Sequence, residues 1–323
     1  MTTRPRILVT RRLPEPVERR LAAEFDVQLN STDVPSSAAT LAAALREADG
    51  VLCTITDRLD AAVLATTPRR AGILANFGVG YGHVDLDAAR AVGLVVTNTP
   101  GVLTDDTADL TMTLLLATAR RAGEGERMVR SGTWTGWRPT QLLGTSVTGK
   151  TLGIVGFGRI GRAVADRARL GFRMTVLVFD PMLPPSAAAT PGVRQCRTLD
   201  ELLETSDFVS LHCPASPATH HMMGATQFAR MRPHAILVNT ARGDVVDERA
   251  LVEALGRQEL AAVGLDVHEH EPTVSADLRA MERVVLLPHL GSATMETRTA
   301  MGLCAVANLR AFFAGEAPPD RVA

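Results

Sequence analysis

Short apolar runs alternate along this chain with longer stretches in which apolar positions recur every third or fourth residue. The first arrangement suits a buried strand and the second an amphipathic helix. Arg6–Thr10 (RILVT) reads as a strand, and Pro14–Phe25 (PEPVERRLAAEF) as a helix opened by prolines. Asp26–Asn30, Ser37–Asp49 and Gly50–Ile55 continue as strand, helix and strand, and the alternation runs on to Pro100. A second alternating set begins after Lys150, with strand signals at Thr151–Phe157, Met174–Asp180, Ile236–Asn239, Ala261–Val267 and Val284–Leu287. Strands taking turns with crossover helices imply two α/β units, each a doubly wound parallel sheet with its active edge facing a cleft.

Three stretches stand outside the alternation. Thr104–Gly132 is a long helical stretch, capped by Thr and Asp, apolar nearly all round and broken near Gly123 and Gly125. A helix of that kind is buried between domains or subunits. Thr133–Gly149 holds both tryptophans, has no period and reads as an extended arm. Met295–Gly315 is a closing helix that follows the second unit and is free to pack back on the first. The expected division is therefore 1–99 with 290–323 as one discontinuous domain, and 100–289 as the other.

Composition narrows the classes of partner. A net charge of −1 over 323 residues gives no electrostatic case for nucleic acid or an anionic membrane. Arginines are balanced by acids, and Lys150 is the single lysine. Cys53, Cys196, Cys213 and Cys304 are scattered, which suits reduced thiols and neither a disulfide framework nor a metal site. With no apolar leader in the first residues and no run long enough to span a bilayer, a cytoplasmic protein is expected.

The chemistry begins at Gly156, Gly158 and Gly161, which form G-x-G-x-x-G between a strand and a helix. The first glycine makes the tight turn, the second admits backbone to a pyrophosphate, and the third lets helix and strand pack closely. The phosphates then rest on helix N-terminal N–H groups, here those of Arg159 and Ile160. The next strand ends at Asp180, at the spacing of a carboxylate that binds ribose hydroxyls and repels a 2′-phosphate. NADH is therefore favoured over NADPH.

A nicotinamide cofactor needs a hydride acceptor and a proton donor. Arg242, Glu271 and His289 each follow a strand of the second unit, the edge at which an open α/β sheet binds its ligand. An Arg grips a carboxylate with two prongs. A His has a proton to give near neutral pH, and a carboxylate beside it orients the ring and favours imidazolium. Blander readings stay open: Arg242 paired with Asp244, the loop HEHEP solvated, His289 a strand cap. His220 and His221 read as diverging surface residues.

The segments GIVGFGRIG, VNTARGDVVDE, GLDVHEHEP and LLPHLGSAT resemble, in order, the signatures of the D-isomer specific 2-hydroxyacid dehydrogenases, over nearly the whole chain. The resemblance implies a flavodoxin-like substrate domain built from both chain ends, an inserted Rossmann domain and a homodimer. It implies that Arg242 binds the substrate carboxylate, that His289 is the proton donor and that Glu271 supports it. It extends the expected cofactor contacts to His212, Cys213, Pro214, Thr219, Thr240, Ala241, Asp266, His289, Gly291 and Ser292.

Within the family the chain is most similar to the glyoxylate/hydroxypyruvate reductases, through NFGVGYGHVDLD and the helix after it. That likeness implies that the amides of Val79 and Gly80 also hold the carboxylate. It further implies that Trp137, or failing that Trp134, reaches a partner's pocket. RSGTWTGWRP is also similar to phosphite dehydrogenase, but Val79 stands where that enzyme is expected to carry Lys. Formate dehydrogenases place Gln where Glu271 stands. The expected activity is NADH-dependent reduction of a small 2-keto acid to the D-2-hydroxy acid. Branched or aromatic keto acids and a non-enzymatic NAD sensor are the alternatives.

Overall fold

A computed structural model describes residues 4–183 and 191–323. The chain forms two compact units, 1–103 with 292–323, and 104–291. The cuts read from the sequence, at 99/100 and 289/290, lie four and two residues from these.

In the first unit five parallel strands, β1 (Arg6–Val9), β2 (Asp26–Gln28), β3 (Gly50–Thr54), β4 (Ile73–Phe77) and β5 (Val95–Thr97), lie in the order β2-β1-β3-β4-β5. β3 is buried along its whole length, as expected where helices cover both faces of a parallel sheet. The Met295–Phe313 helix belongs to this unit: Ala305, Val306 and Leu309 share a core with Ile7, Val17 and Leu21. Gly302 lets it settle on Val17, since a Cβ there would collide with that side chain. Val322 and Ala323 then pair with Val96.

Among the described residues the second unit holds seven strands: β6 (Thr151–Val155), β7 (Thr175–Phe179), β8 (Val193–Gln195), β9 (Phe208–Leu211), β10 (Ile236–Asn239), β11 (Ala262–Leu265) and β12 (Val284–Leu286). Their order is β12-β11-β10-β9-β6-β7-β8, all parallel. The order reverses between β6 and β9, so the crevice of a doubly wound sheet opens there, at the carboxyl ends of the strands. β8 has no counterpart in the sequence reading. It is a three-residue, partly exposed edge strand, VRQ, too short and polar to show a period.

The long apolar stretch is two helices, Thr104–Ala119 and Ala122–Arg130. The break falls before the glycines, at Arg121, which takes a left-handed φ of 53° and pairs with Glu124 at 2.7 Å. The first helix buries Thr107, Ala108, Thr111, Met112, Leu114, Leu115, Thr118 and Ala119 within its own unit. Its neighbours there are β10, β11 and the Arg159–Phe172 helix. Residues 133–149 carry no helix or strand. Trp134 and Trp137 on this segment are 51% and 81% exposed.

Candidate active site

At the β6–helix junction Gly156 adopts φ 90°, and a Cβ on it would lie 2.7 Å from the Cys213 nitrogen and the His212 carbonyl carbon. Gly161 packs on the Gly156 carbonyl, where a Cβ would collide. Gly158 caps the Arg159–Phe172 helix, and nothing lies within 4 Å of a Cβ built there. The loop is thus closed on its inner side and open where Gly158 and the amides of Arg159 and Ile160 begin the helix. That is the cradle a pyrophosphate requires, so the residues fit a dinucleotide.

Asp180 sits beside this loop. Its Oδ2 accepts from the Phe157 amide at 2.8 Å, and its Oδ1 accepts from the Met182 amide at 2.9 Å. Each oxygen keeps a second lone pair for a further donor. His212 pairs through Nε2 with Ser210 Oγ at 2.9 Å, and burial pushes the ring down to about 4, so it is neutral at pH 7. Burial likewise pushes the Cys213 thiol up to about 11 and leaves it unreactive. The Thr219 hydroxyl closes its own turn by donating to Pro214 O at 2.7 Å.

The other half of the site follows β10, β11 and β12, which are neighbours in the sheet. Arg242, Glu271 and His289 therefore emerge from adjacent strand ends. Glu271 receives His289 Nδ1 at 2.9 Å on Oε2 and 3.2 Å on Oε1, and the His268 amide at 3.1 Å. Burial pushes the Glu271 carboxyl up, yet His289 and the His268 amide outweigh it, leaving the group below its ordinary range. With Nδ1 committed to the carboxylate, Nε2 of His289 is the nitrogen left to face a reactant.

Arg242 is half-buried, and its guanidinium donates to the Ala241 carbonyl at 2.5 Å. Among the described residues no carboxylate forms an ion pair with it. Glu271 and Asp244 act on it through space, while burial pulls it below the usual arginine value. A guanidinium stays cationic even so. It is a desolvated cation whose natural complement is a small anion.

Several supporting groups escaped the sequence reading. Fully buried Asn239 grips the Arg242 turn, with Oδ1 accepting from the Ala241 amide at 3.0 Å and Nδ2 donating to Arg242 O at 2.8 Å. Gly243 lies flush against the His268–Glu269 backbone, leaving no room for a Cβ and setting the Arg242 turn against the Glu271 loop. Asp266, expected as a cofactor contact, receives the amides of Leu290 at 2.7 Å and Gly291 at 2.9 Å, while its carbonyl accepts from the His289 amide. Its carboxylate holds the His289 loop, in which His289 takes a left-handed φ of 57°. An acid at the end of an apolar strand was the available signal.

The histidine pair departs from expectation. His220 and His221 do not diverge: their rings stack at 4.0 Å, and His221 Nε2 meets Glu269 Oε1 at 2.7 Å. The loop HEHEP is likewise not solvated throughout, since His268 is 7% exposed and its Nε2 bonds Leu287 O. His221 takes a left-handed φ of 48°, so the neighbouring rings of His220 and His221 do not point apart as they would on extended backbone.

Of the remaining expected residues, Val79, Gly80 and Ser292 belong to the first unit. There the loop after β4 has its carbonyls tied down: Asn76 Nδ2 donates to Gly78 O and Gly80 O, and Asn98 Nδ2 donates to Val79 O.

Comparison with known proteins bears on the whole chain. The NAD binding domain of the D-isomer specific 2-hydroxyacid dehydrogenases matches residues 112–291. The glyoxylate reductase of Thermococcus litoralis is 42% identical, over 99% of this chain and 97% of its own. A D-isomer specific 2-hydroxyacid dehydrogenase structure from a Polaromonas species superposes with a TM-score of 0.91 at 36% identity, covering 99% of each chain. An NADPH-dependent glyoxylate/hydroxypyruvate reductase of Sinorhizobium meliloti, solved with NADP and malonate, gives 0.88 at 35% identity over 99% of this chain and 97% of that one. The chain belongs to the D-isomer specific 2-hydroxyacid dehydrogenases and is an NAD(P)-dependent oxidoreductase.

Proposed function

We propose that the protein reduces glyoxylate or hydroxypyruvate to the D-2-hydroxy acid, with NADH as the preferred reductant. The observation that carries this is the His289–Glu271 pair on the strand end next to a half-buried Arg242 that has no ion-pair partner among the described residues. Arg242 takes the keto-acid carboxylate. His289 gives its Nε2 proton to the keto oxygen as C2 is reduced, and Glu271 stabilises the charged ring until that transfer. The glycine cradle would hold the pyrophosphate of a dinucleotide, whose reduced nicotinamide would supply the hydride to C2.

Asp180 supports the choice of NADH, because a 2′-phosphate beside it would meet a carboxylate. Glyoxylate reductase is the name of the Thermococcus relative, and glyoxylate/hydroxypyruvate reductase that of the Sinorhizobium one. The exposed Trp134, Trp137 and Leu143 support a homodimer in which Trp137 reaches the partner's pocket.

The test is a panel of glyoxylate, hydroxypyruvate, branched and aromatic keto acids with NADH and NADPH, followed by absorbance for wild type and His289→Gln. The small acids with NADH should give the highest kcat/KM, and the variant should lose kcat by about 10²–10⁴-fold, the range for a positioned general acid. Preference for a bulky keto acid, or an unimpaired variant, would overturn the reading.

A further inference from the structure

We infer that Thr107 and Thr111, on the buried Thr104–Ala119 helix, are positioning residues that fasten the two reacting loops to one rigid rod. The inference rests on the roles proposed above for Arg242 and His289. The two threonines are 5% and 0% exposed and lie one turn apart on the same face. Thr107 Oγ1 donates to the Gly291 carbonyl at 3.0 Å, and Gly291 is two residues beyond His289. Thr111 Oγ1 stands 2.8 Å from Thr240 Oγ1, and Thr240 is two residues before Arg242.

Hydrogen-bond directions follow from counting protons. Thr111 donates its single proton to Thr107 O at 2.8 Å, so Thr240 must be the donor toward Thr111. Thr240 is itself 7% exposed, so its hydroxyl is committed to this contact. A threonine inside a helix ordinarily bonds back to its own i−4 carbonyl. Thr113 and Thr118 do so, to Asp109 O and Leu114 O. Thr107 instead sends its hydroxyl out of the helix to the His289 loop, and Thr111 uses its spare lone pair for the Arg242 turn. A helix face packed on β10 and β11 would be better served by aliphatic side chains, which have no polar atom to satisfy.

The bonds continue on both sides. From Gly291 the amide runs to Asp266 Oδ2, and the Asp266 carbonyl accepts the His289 amide. From Thr240 the turn passes to Ala241 and Arg242, both held by Asn239. The separation of the guanidinium from the imidazole is thereby referred to a single helical turn.

Steady-state kinetics on Thr→Val and Thr→Ser at each position test this, with thermal unfolding checked on every variant. Thr107→Val should lower kcat by roughly tenfold at nearly unchanged keto-acid KM, and Thr111→Val should raise that KM by roughly tenfold, because a loosely held reacting group sacrifices orientation. The Ser variants keep the hydroxyl and should return to near wild-type values. In a His289→Gln background, Thr107→Val should cost nothing further. Folded Val variants with wild-type constants, Ser variants as impaired as Val, or a further loss in the Gln background would overturn the inference. If a Val variant fails to fold, Thr→Ala at the same site reads the same contrast without added bulk. Should His289→Gln itself prove fully active, the assignment of the proton donor fails, while the Val/Ser contrast still reports on the hydroxyls.

Discussion

Glu271 is a partly buried carboxylate made tolerable by one ring and one amide. Its pKa lies below the ordinary 4.5, because His289 and the His268 amide together outweigh desolvation. A depressed carboxylate contributes stability that is fully present above 4.5 and is lost as pH falls through the folded-state value. The gap in unfolding temperature between wild type and Glu271→Gln should therefore hold steady from about pH 6 down to the ordinary carboxylate range and close below it. A gap that widens on acidification would contradict the sign. Arg242, Glu271 and His289 were legible at this scale because each is a polar residue just past an apolar run. Asn239, Thr107 and Thr111 were not, because an Asn at a strand end or a Thr in a helix has many ordinary uses. Only the fold reveals which carbonyl or hydroxyl each one meets.

At the scale of elements, the site exists because β10, β11 and β12 are consecutive neighbours with one shared direction. Periodicity marks strands but not their order, so the alternation announced a parallel sheet without saying which ends meet. Gly243 illustrates what that leaves out. In the sequence it is a glycine after an arginine; in the fold it is the point where the Arg242 turn lies flush on the His268–Glu269 backbone. Gly243→Ala should destabilise the protein by about 1–3 kcal/mol, the usual result of overpacking. The keto-acid KM should rise with it, as Arg242 is pushed off its loop. Calorimetry and kinetics on the one variant would show both, and a variant as stable and as tight-binding as wild type would refute the close approach. The helix break expected near the glycines falls at Arg121, two residues before Gly123. Gly123 and Gly125 are weak helix formers but sit inside the Ala122–Arg130 helix, whereas the Arg121–Glu124 ion pair fixes a left-handed turn at Arg121 itself. The edge strand β8 has no apolar run to betray it.

On the scale of the whole chain, the sequence is folded into a unit made from both ends and a unit inserted between them. The return of Met295–Phe313 to the first unit follows from shape as much as polarity. Its Gly302 admits Val17, and Arg310 pairs with Glu24 at 2.9 Å. The second unit carries the glycine cradle, Asp180, Arg242, Glu271 and His289 along the carboxyl edge of one sheet. A fixed guanidinium and a carboxylate-held imidazole are proposed to address opposite ends of one keto acid. The direct measurement is a crystal structure with oxidised NAD and oxamate, an unreactive keto-acid analogue. The expected result is oxamate with its carboxylate on the Arg242 guanidinium and its amide oxygen about 2.6–3.2 Å from His289 Nε2. Oxamate bound away from Arg242, or His289 rotated off Glu271 with Nε2 turned from the ligand, would contradict it.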